Sequence, residues 1–114
     1  MPILFAVIFL AIVGNAEAAA PPCEKKNVSE VVNGLKKIRV IHKIVDTGTG
    51  NVPQIFVDPP VWNRMTLDEK ELLALNSICY VNNYEWPAQP MINVHDGRNG
   101  KLLARWNKRL RLFD

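Results

Sequence analysis

Apolar residues change their spacing several times along this chain of 114 residues, and the first regular stretch has helical spacing. Its aliphatic residues fall on one helical face: Val28, Val31, Val32 and Leu35. Asn27 precedes them and Glu30 follows three positions later, which is the spacing of a capping box. We therefore predict a helix over residues 27–37 that is capped by Asn27, with Gly34 weakening or ending its last turn.

Residues 38–46 alternate with a period of two and are rich in β-branched side chains, which predicts a strand. Turn-forming residues occupy 47–51, and residues 52–57 predict a second strand. Because Pro53 lacks a backbone donor, we expect this strand at a sheet edge or with an irregular start. The two prolines at 59 and 60 stop it.

A second capping box marks the clearest helix. Thr66 and Glu69 hold the cap position and the third helical position, and the helix is expected to reach about Asn82. Residues 91–95 and 102–106 predict two further strands joined by a glycine-containing turn. The predicted order is therefore α-β-β-α-β-β, an α+β fold with an antiparallel sheet of about four strands and two helices on one face.

The N-terminus departs from this pattern. Residues 3–13 form an unbroken apolar run, which is shorter than the roughly 20 residues that a bilayer-spanning helix needs. The sequence AEA at 16–18 places small side chains where a signal peptidase requires them. A retained N-terminal anchor is the alternative, because no Lys or Arg precedes the run. We expect three segments: a cleaved signal peptide (1–18), an extended lead (19–26) and a single α+β domain (27–114).

Two cysteines, Cys23 and Cys79, remain after this cleavage. An exported protein meets an oxidising compartment, where cysteines can pair. A bridge would close a loop of about half the chain, and the chain-entropy model gives such a loop roughly 4 kcal/mol of stabilisation. Two independent thiols are the alternative.

Basic residues concentrate near the C-terminus. The chain has 14 Lys and Arg against 11 Asp and Glu. Six of the bases stand at or after position 98: Arg98, Lys101, Arg105, Lys108, Arg109 and Arg111. If the tail is a strand, Arg109 and Arg111 share one face, while Leu110 and Leu112 share the other. This basic stripe would suit an anionic partner, although basic residues also protect edge strands from aggregation.

Three tryptophans, Trp62, Trp86 and Trp106, are further candidates for binding, because aromatic and Arg side chains dominate interface energies. Core packing is their alternative role. We expect the partner to be another protein of the periplasm or envelope. Anionic lipid is a second option, and nucleic acid is a poor match for an exported protein.

Patterns for catalysis and metal binding are weak. His42 and His95 are the only histidines and lack the spacing of a helical metal pair, so we expect neither a metal nor a cofactor. We expect a binding protein rather than an enzyme. A small envelope hydrolase is the first rival, and its carboxylates would be Asp58, Glu85 or Asp96. A membrane-anchored factor that binds anionic lipid through the basic tail is the second.

Four sequence features follow one another in a recognisable order: Trp62, the run Thr66-Leu67-x-Glu69-Lys70, a helix ending near Tyr80, and the run Val94-x-Asp96-Gly97-x-x-Gly100-Lys101-x-Leu103-Ala104-Arg105. This order resembles a pattern in small exported proteins of Gram-negative bacteria, an uncharacterised family. The resemblance covers residues 38–106, and its motifs are helix caps and hairpin turns. It implies a periplasmic location and supplies no catalytic residues.

Overall fold

The computed structural model describes residues 23–46 and 52–113. The predicted signal peptide (1–18), the first part of the predicted lead (19–22) and the predicted turn at 47–51 lie outside the described residues. The described chain has an α+β fold with three helices and one mixed sheet of five strands. The prediction of an α+β fold is therefore confirmed, while the numbers of helices and strands were too low.

The first helix, α1 (Lys25–Lys37), begins two residues before its predicted start. Its N-cap is Glu24, which makes no side-chain cap hydrogen bond, so the predicted capping by Asn27 is wrong. The predicted lead consequently loses its last two residues to the helix. The predicted apolar face is confirmed by four side chains that are at most 4% exposed: Val28, Val31, Val32 and Leu35.

Residues 38–40 form the C-terminal cap of α1, although their alternating pattern predicted the start of the next strand. Arg39 adopts a left-handed backbone with φ of 62°, and the Val40 amide donates to the Leu35 carbonyl over 2.9 Å. This is the hydrogen bonding of a Schellman motif, with arginine where glycine is usual. The helix therefore continues past Gly34, and the strand begins at residue 41 rather than 38.

Strands β1 (Ile41–Val45) and β2 (Gln54–Val57) pair antiparallel. The register shifts at His42, which is the extra residue of a β-bulge. Pro53 directly precedes β2, which begins at Gln54 rather than at the predicted residue 52. Of the two expectations for this strand, the irregular start therefore applies and the position at a sheet edge does not. β2 is an interior strand, with β1 on one side and β3 on the other.

Two helices, rather than the single one predicted, follow β2. The short α2 (Pro59–Arg64) begins at the prolines that were expected only to stop the strand, and the Asp58 carboxylate accepts from the Val61 amide over 3.3 Å. Proline suits the first turn of a helix because the amide it lacks would have no partner there. α3 (Leu67–Val81) follows with both hydrogen bonds of the predicted capping box, at 2.8 and 3.2 Å.

Strands β3 (Met91–Asp96), β4 (Leu102–Asn107) and β5 (Arg109–Leu112) complete the sheet in the order β1-β2-β3-β4-β5. Adjacent strands are antiparallel except β2 and β3, which run parallel. The prediction of a wholly antiparallel sheet is therefore wrong at this pair. The physical reason is the connection, since two helices return the chain to the end at which β2 began.

The core lies between the helices and one face of the sheet. The strands contribute Ile55, Val57, Ile92, Val94 and Ala104, all 0% exposed. A Cys23–Cys79 disulfide, with Cα atoms 5.3 Å apart, ties the chain ahead of α1 to the last turns of α3. The predicted pairing is thus present. It spans 56 residues of sequence, a loop for which the chain-entropy model gives about 4 kcal/mol.

Candidate binding face

The strands place alternate side chains on the side of the sheet away from the helices. We call this side the open face and define it by the residues that oppose one another across the strands: Lys43, Val45, Gln54, Phe56, Met91, Asn93, His95, Arg105, Asn107, Arg109 and Arg111. Every one of these side chains is exposed or half-buried. Four of these residues are cationic and none is acidic, so together they give the open face a net positive charge.

One half of the open face is a stack of side chains across three strands. The Lys43 ammonium lies 4.5 Å from the centroid of the Phe56 ring, and the His95 ring stacks on Phe56 with centroids 5.0 Å apart. The His95 Nδ1 is 3.0 Å from the Gly100 carbonyl and must donate, because a carbonyl only accepts. This bond orients the imidazole, and the buried Nε2 has no hydrogen-bond partner among the described residues.

The other half of the open face is built by arginines. Arg105 on β4 and Arg111 on β5 are directly opposed partners in the register. The Arg105 Nε donates to the Asn93 side-chain oxygen over 2.8 Å, so Asn93 holds this guanidinium in place. No described carboxylate lies within ion-pair distance of Arg105, Arg109 or Arg111. Like charges that face each other across strands cost stability, so this arrangement needs a reason other than folding.

The remaining basic candidates lie elsewhere. Arg98 and Lys101 are exposed in and after the β3–β4 turn, and the Arg98 Nε lies 3.9 Å from Asp96. Lys108 forms the β4–β5 turn with φ of 67°. Of the six C-terminal bases, the structure therefore gathers three on the open face, Arg105, Arg109 and Arg111.

The tryptophans lie away from the open face. Trp62 is only 3% exposed in α2, and the Lys70 ammonium lies 5.1 Å from its ring centroid. Trp86 is half-buried against the core. Trp106 opposes Ile92 on the helix-covered side, where its buried Nε1 has no partner within the described chain. We therefore leave all three out of the binding surface.

The carboxylates named for a hydrolase do not form one group. Asp58 and Asp96 follow or end the parallel strands β2 and β3, so they share one end of the sheet. Glu85 stands in the loop that leads into the opposite end of β3. Asp96 is 6% exposed, and its Oδ1 accepts from the Arg98 amide over 2.7 Å. Asp58 caps α2, so both aspartates have roles in holding the local backbone.

His42 joins these aspartates at the same end of the sheet. Its Nε2 lies 3.6 Å from the Asp58 Oδ1, and its ring covers Gly97 so closely that a Cβ there would collide with the imidazole. The Gly97 amide donates to the Val57 carbonyl over 2.7 Å and brings the β3–β4 turn against the end of β2. Within residues 23–46 and 52–113, no three His, Cys, Asp or Glu side chains are grouped to hold a metal ion.

Of the eleven residues that define the open face, the sequence predicts only Arg105, Arg109 and Arg111 as binding residues. Lys43, Phe56, Asn93 and His95 come from three separate strands, and the spacing within any one strand does not reveal which strands are neighbours. The sequence does carry one signal for β3, because apolar Ile92 and Val94 alternate with polar Asn93 and His95 and so place the two polar residues on one side. Placing Asn93 and His95 beside Lys43 and Phe56 also requires the parallel register of β2 and β3, which the sequence does not reveal.

Comparisons with protein-family models, with curated proteins and with solved structures gave no match to this chain. None of the described helices is long and apolar enough to cross a membrane.

Proposed function

We propose that this protein is an exported interaction protein that binds an acidic partner protein through the open face. The carrying observation is the pair of directly opposed arginines, Arg105 and Arg111, on a face whose defining residues include no carboxylate. An acidic side chain placed between them would offset their mutual repulsion and accept several charge-assisted hydrogen bonds. A partner with complementary charge would therefore gain in both association rate and specificity.

Protection of a sheet edge does not account for this charge distribution. Edge strands commonly carry Lys and Arg, which explains Arg109 and Arg111 on β5. Arg105 lies on β4, which has a strand on each side and no edge to protect. Its guanidinium is moreover held by Asn93, and a fixed guanidinium suits recognition of a carboxylate in a defined position.

Two observations support export. The Cys23–Cys79 disulfide is of the kind that persists in oxidising compartments. The apolar run at 3–13 with small residues at 16 and 18 has the pattern of a cleavable signal. In such a compartment, an acidic protein or the anionic headgroups of lipid are available partners, whereas nucleic acid is not. The half-buried, stacked side chains of the open face favour a protein of fixed shape over a fluid lipid surface.

The experiment compares two double charge reversals in a pull-down from envelope extract. Arg105→Glu with Arg111→Glu changes the open face, and Arg98→Glu with Lys101→Glu makes the same change of charge in the turn. We expect a protein retained by the wild type and by the turn variant, with at least tenfold less retained by the open-face variant. Raising the salt to 0.5 M should release it, because salt screens charge pairs at surfaces.

Vesicles with and without anionic phospholipid serve as the second arm. Binding to anionic vesicles that the open-face variant loses, with no protein retained, would replace the protein partner by lipid. Equal retention by the two double variants would contradict a role of the open face altogether.

A further inference from the structure

The outer edge of β5 is a second feature of the same region. β5 pairs with β4 and has no described strand on its other side. The Phe113 amide donates to the opposed Leu103 carbonyl over 2.8 Å. Because hydrogen-bonding direction alternates along an antiparallel strand, Arg111 also directs its backbone groups at β4. Leu110 and Leu112 therefore direct their amides and carbonyls outward, away from the sheet.

The side chains of β5 alternate between the two sides of the sheet. Arg109 and Arg111 lie on the open face, while Leu110 and Leu112 lie on the helix-covered side. Leu110 is 9% exposed, but Leu112 is 49% exposed and the adjacent Phe113 is 41% exposed. The outward backbone groups of Leu110 and Leu112 have no partner strand among the described residues, and natural edge strands usually avoid large apolar side chains beside such groups. Arg109 and Arg111 on one side and the uncovered Leu112 on the other define the strand that would fit beside β5.

We propose that the acidic partner adds an extended segment as a sixth strand against β5. Its carboxylates lie on the open-face side beside Arg109 and Arg111, and its apolar side chains cover Leu112 on the opposite side. Backbone hydrogen bonds to Leu110 and Leu112 supply affinity, and the alternation of acidic and apolar residues supplies specificity. This inference rests on the proposed function, since it names the form that the acidic partner takes.

A second copy of this chain is a poorer occupant of the same edge. Pairing two β5 strands would bring the arginines of one copy beside those of the other, and like charges across strands are unfavourable. A strand with acidic side chains would instead attract Arg109 and Arg111. Charge complementarity therefore selects the partner strand over self-association.

The test uses two synthetic peptides of equal composition and charge against the disulfide-bonded protein. The first alternates Glu and Val over eight residues, and the second has four Glu followed by four Val. We expect the alternating peptide to bind at least tenfold more tightly by fluorescence anisotropy. Amide exchange at Leu110 and Leu112 should slow at least tenfold when it binds, while the amides of β1 stay unchanged.

A backbone variant separates strand addition from simple charge attraction. Leu112→Pro removes one outward amide, and an outward amide is the one place in an edge strand where proline is tolerated. Leu112→Ala is the matched control, since it keeps the amide and also loses the leucine side chain. We expect Leu112→Pro to weaken binding of the alternating peptide at least tenfold relative to Leu112→Ala. The exchange measurement on the wild type supplies an independent result should the proline variant unfold.

Equal binding of both peptides without slowed exchange would overturn strand addition and leave the proposed function standing. Absence of binding by either peptide would also overturn strand addition, and the pull-down with the open-face variant would then decide the proposed function separately. Concentration-dependent dimerisation with slowed exchange at Leu110 and Leu112 would replace the partner strand by a second copy.

Discussion

The helix-covered face and the open face are made by the same five strands, but they use their side chains in opposite ways. On the covered face, Ile55, Val57, Ile92 and Val94 are fully buried beneath the helices. On the open face, the residues next to them in sequence, such as Phe56 and Asn93, are half-buried, and the charged residues of that face are Lys and Arg. Stability and recognition are thus assigned to alternate positions of one chain. Substitutions at neighbouring positions should therefore have different consequences, and five experiments examine that separation.

The largest effect is expected from the disulfide on the helix side. Replacing Cys23 and Cys79 together by serine should lower the free energy of unfolding by about 4 kcal/mol, because the reduced chain gains conformational freedom when unfolded. Urea unfolding of the oxidised and serine forms measures this loss. The open face contains neither cysteine, so the fraction that remains folded should still bind. Loss of binding by folded serine protein would show that the two faces are coupled.

A matched pair of neighbours on β3 gives the most direct contrast. Ile92→Ala should cost about 2–5 kcal/mol, since it leaves a cavity in the core. Asn93→Ala removes only the exposed hydrogen bond to Arg105 and should cost less than about 1 kcal/mol. Binding should respond in the opposite order, with Asn93→Ala weakening it more per folded molecule. Comparable losses of stability at both positions would break the distinction between the faces.

The contact at the end of the sheet belongs to neither face. Gly97→Ala should destabilise the fold by about 1–3 kcal/mol, because the new methyl group overlaps the His42 imidazole. His42→Ala removes the imidazole with which the new methyl group would collide. In the His42→Ala background, Gly97→Ala should therefore cost much less stability than it does in the wild type. Thermal unfolding of the four proteins completes the cycle. Additive losses would mean that another contact limits Gly97.

A charge reversal on the open face should raise stability while it removes function. Arg111→Glu places opposite charges across β4 and β5 in place of like ones and should stabilise by about 0.2–1 kcal/mol. Retention of the partner should nevertheless fall. A variant that loses both stability and binding would indicate that Arg111 helps to fold the sheet.

The smallest effect concerns a carboxylate on α3. Partial burial, and secondarily the neighbouring Asp68, raise the pKa of Glu71 above its ordinary value of 4.5. The folded state therefore holds this proton more tightly than the unfolded state, and stability falls as the pH rises through the raised pKa. Glu71→Gln should give a small increase in Tm at pH 7 that disappears below pH 4. The control for loss of one carboxylate is Glu30→Gln on α1. Glu69→Gln is unsuitable because the Glu69 side chain takes part in the capping box of α3.

The parts of the fold that the sequence predicts are those decided by neighbours in the chain. The apolar face of α1 and the capping box of Thr66 and Glu69 involve residues within one or two turns, and both are confirmed. The short helix α2 was missed because Asp58 and the two prolines after it favour a strand stop and a helix start equally. The ending of α1 was missed because Arg39 occupies a backbone region that glycine usually holds.

The candidate site divides in the same way. The facing of Arg109 and Arg111 follows from alternation within one short strand. Predicting that they lie beside Arg105 requires knowledge of the β4–β5 register. Predicting the stack of Lys43, Phe56 and His95 requires the β1–β2 and β2–β3 registers as well. The parallel pair β2–β3 is the obstacle, because hairpin rules give no register for strands that are joined through helices.

The same parallel pair has a consequence for how the chain folds. The β1–β2 pair and the β3–β5 meander each close through local contacts, so each can form early. Joining them requires Gln54 to find Asn93 across the whole helical connection, and such non-local contacts are slow because the intervening chain must first be ordered. Docking of these two half-sheets is therefore expected to set the folding rate. Before that step, the edges of β2 and β3 that face each other in the folded sheet have no partner strand.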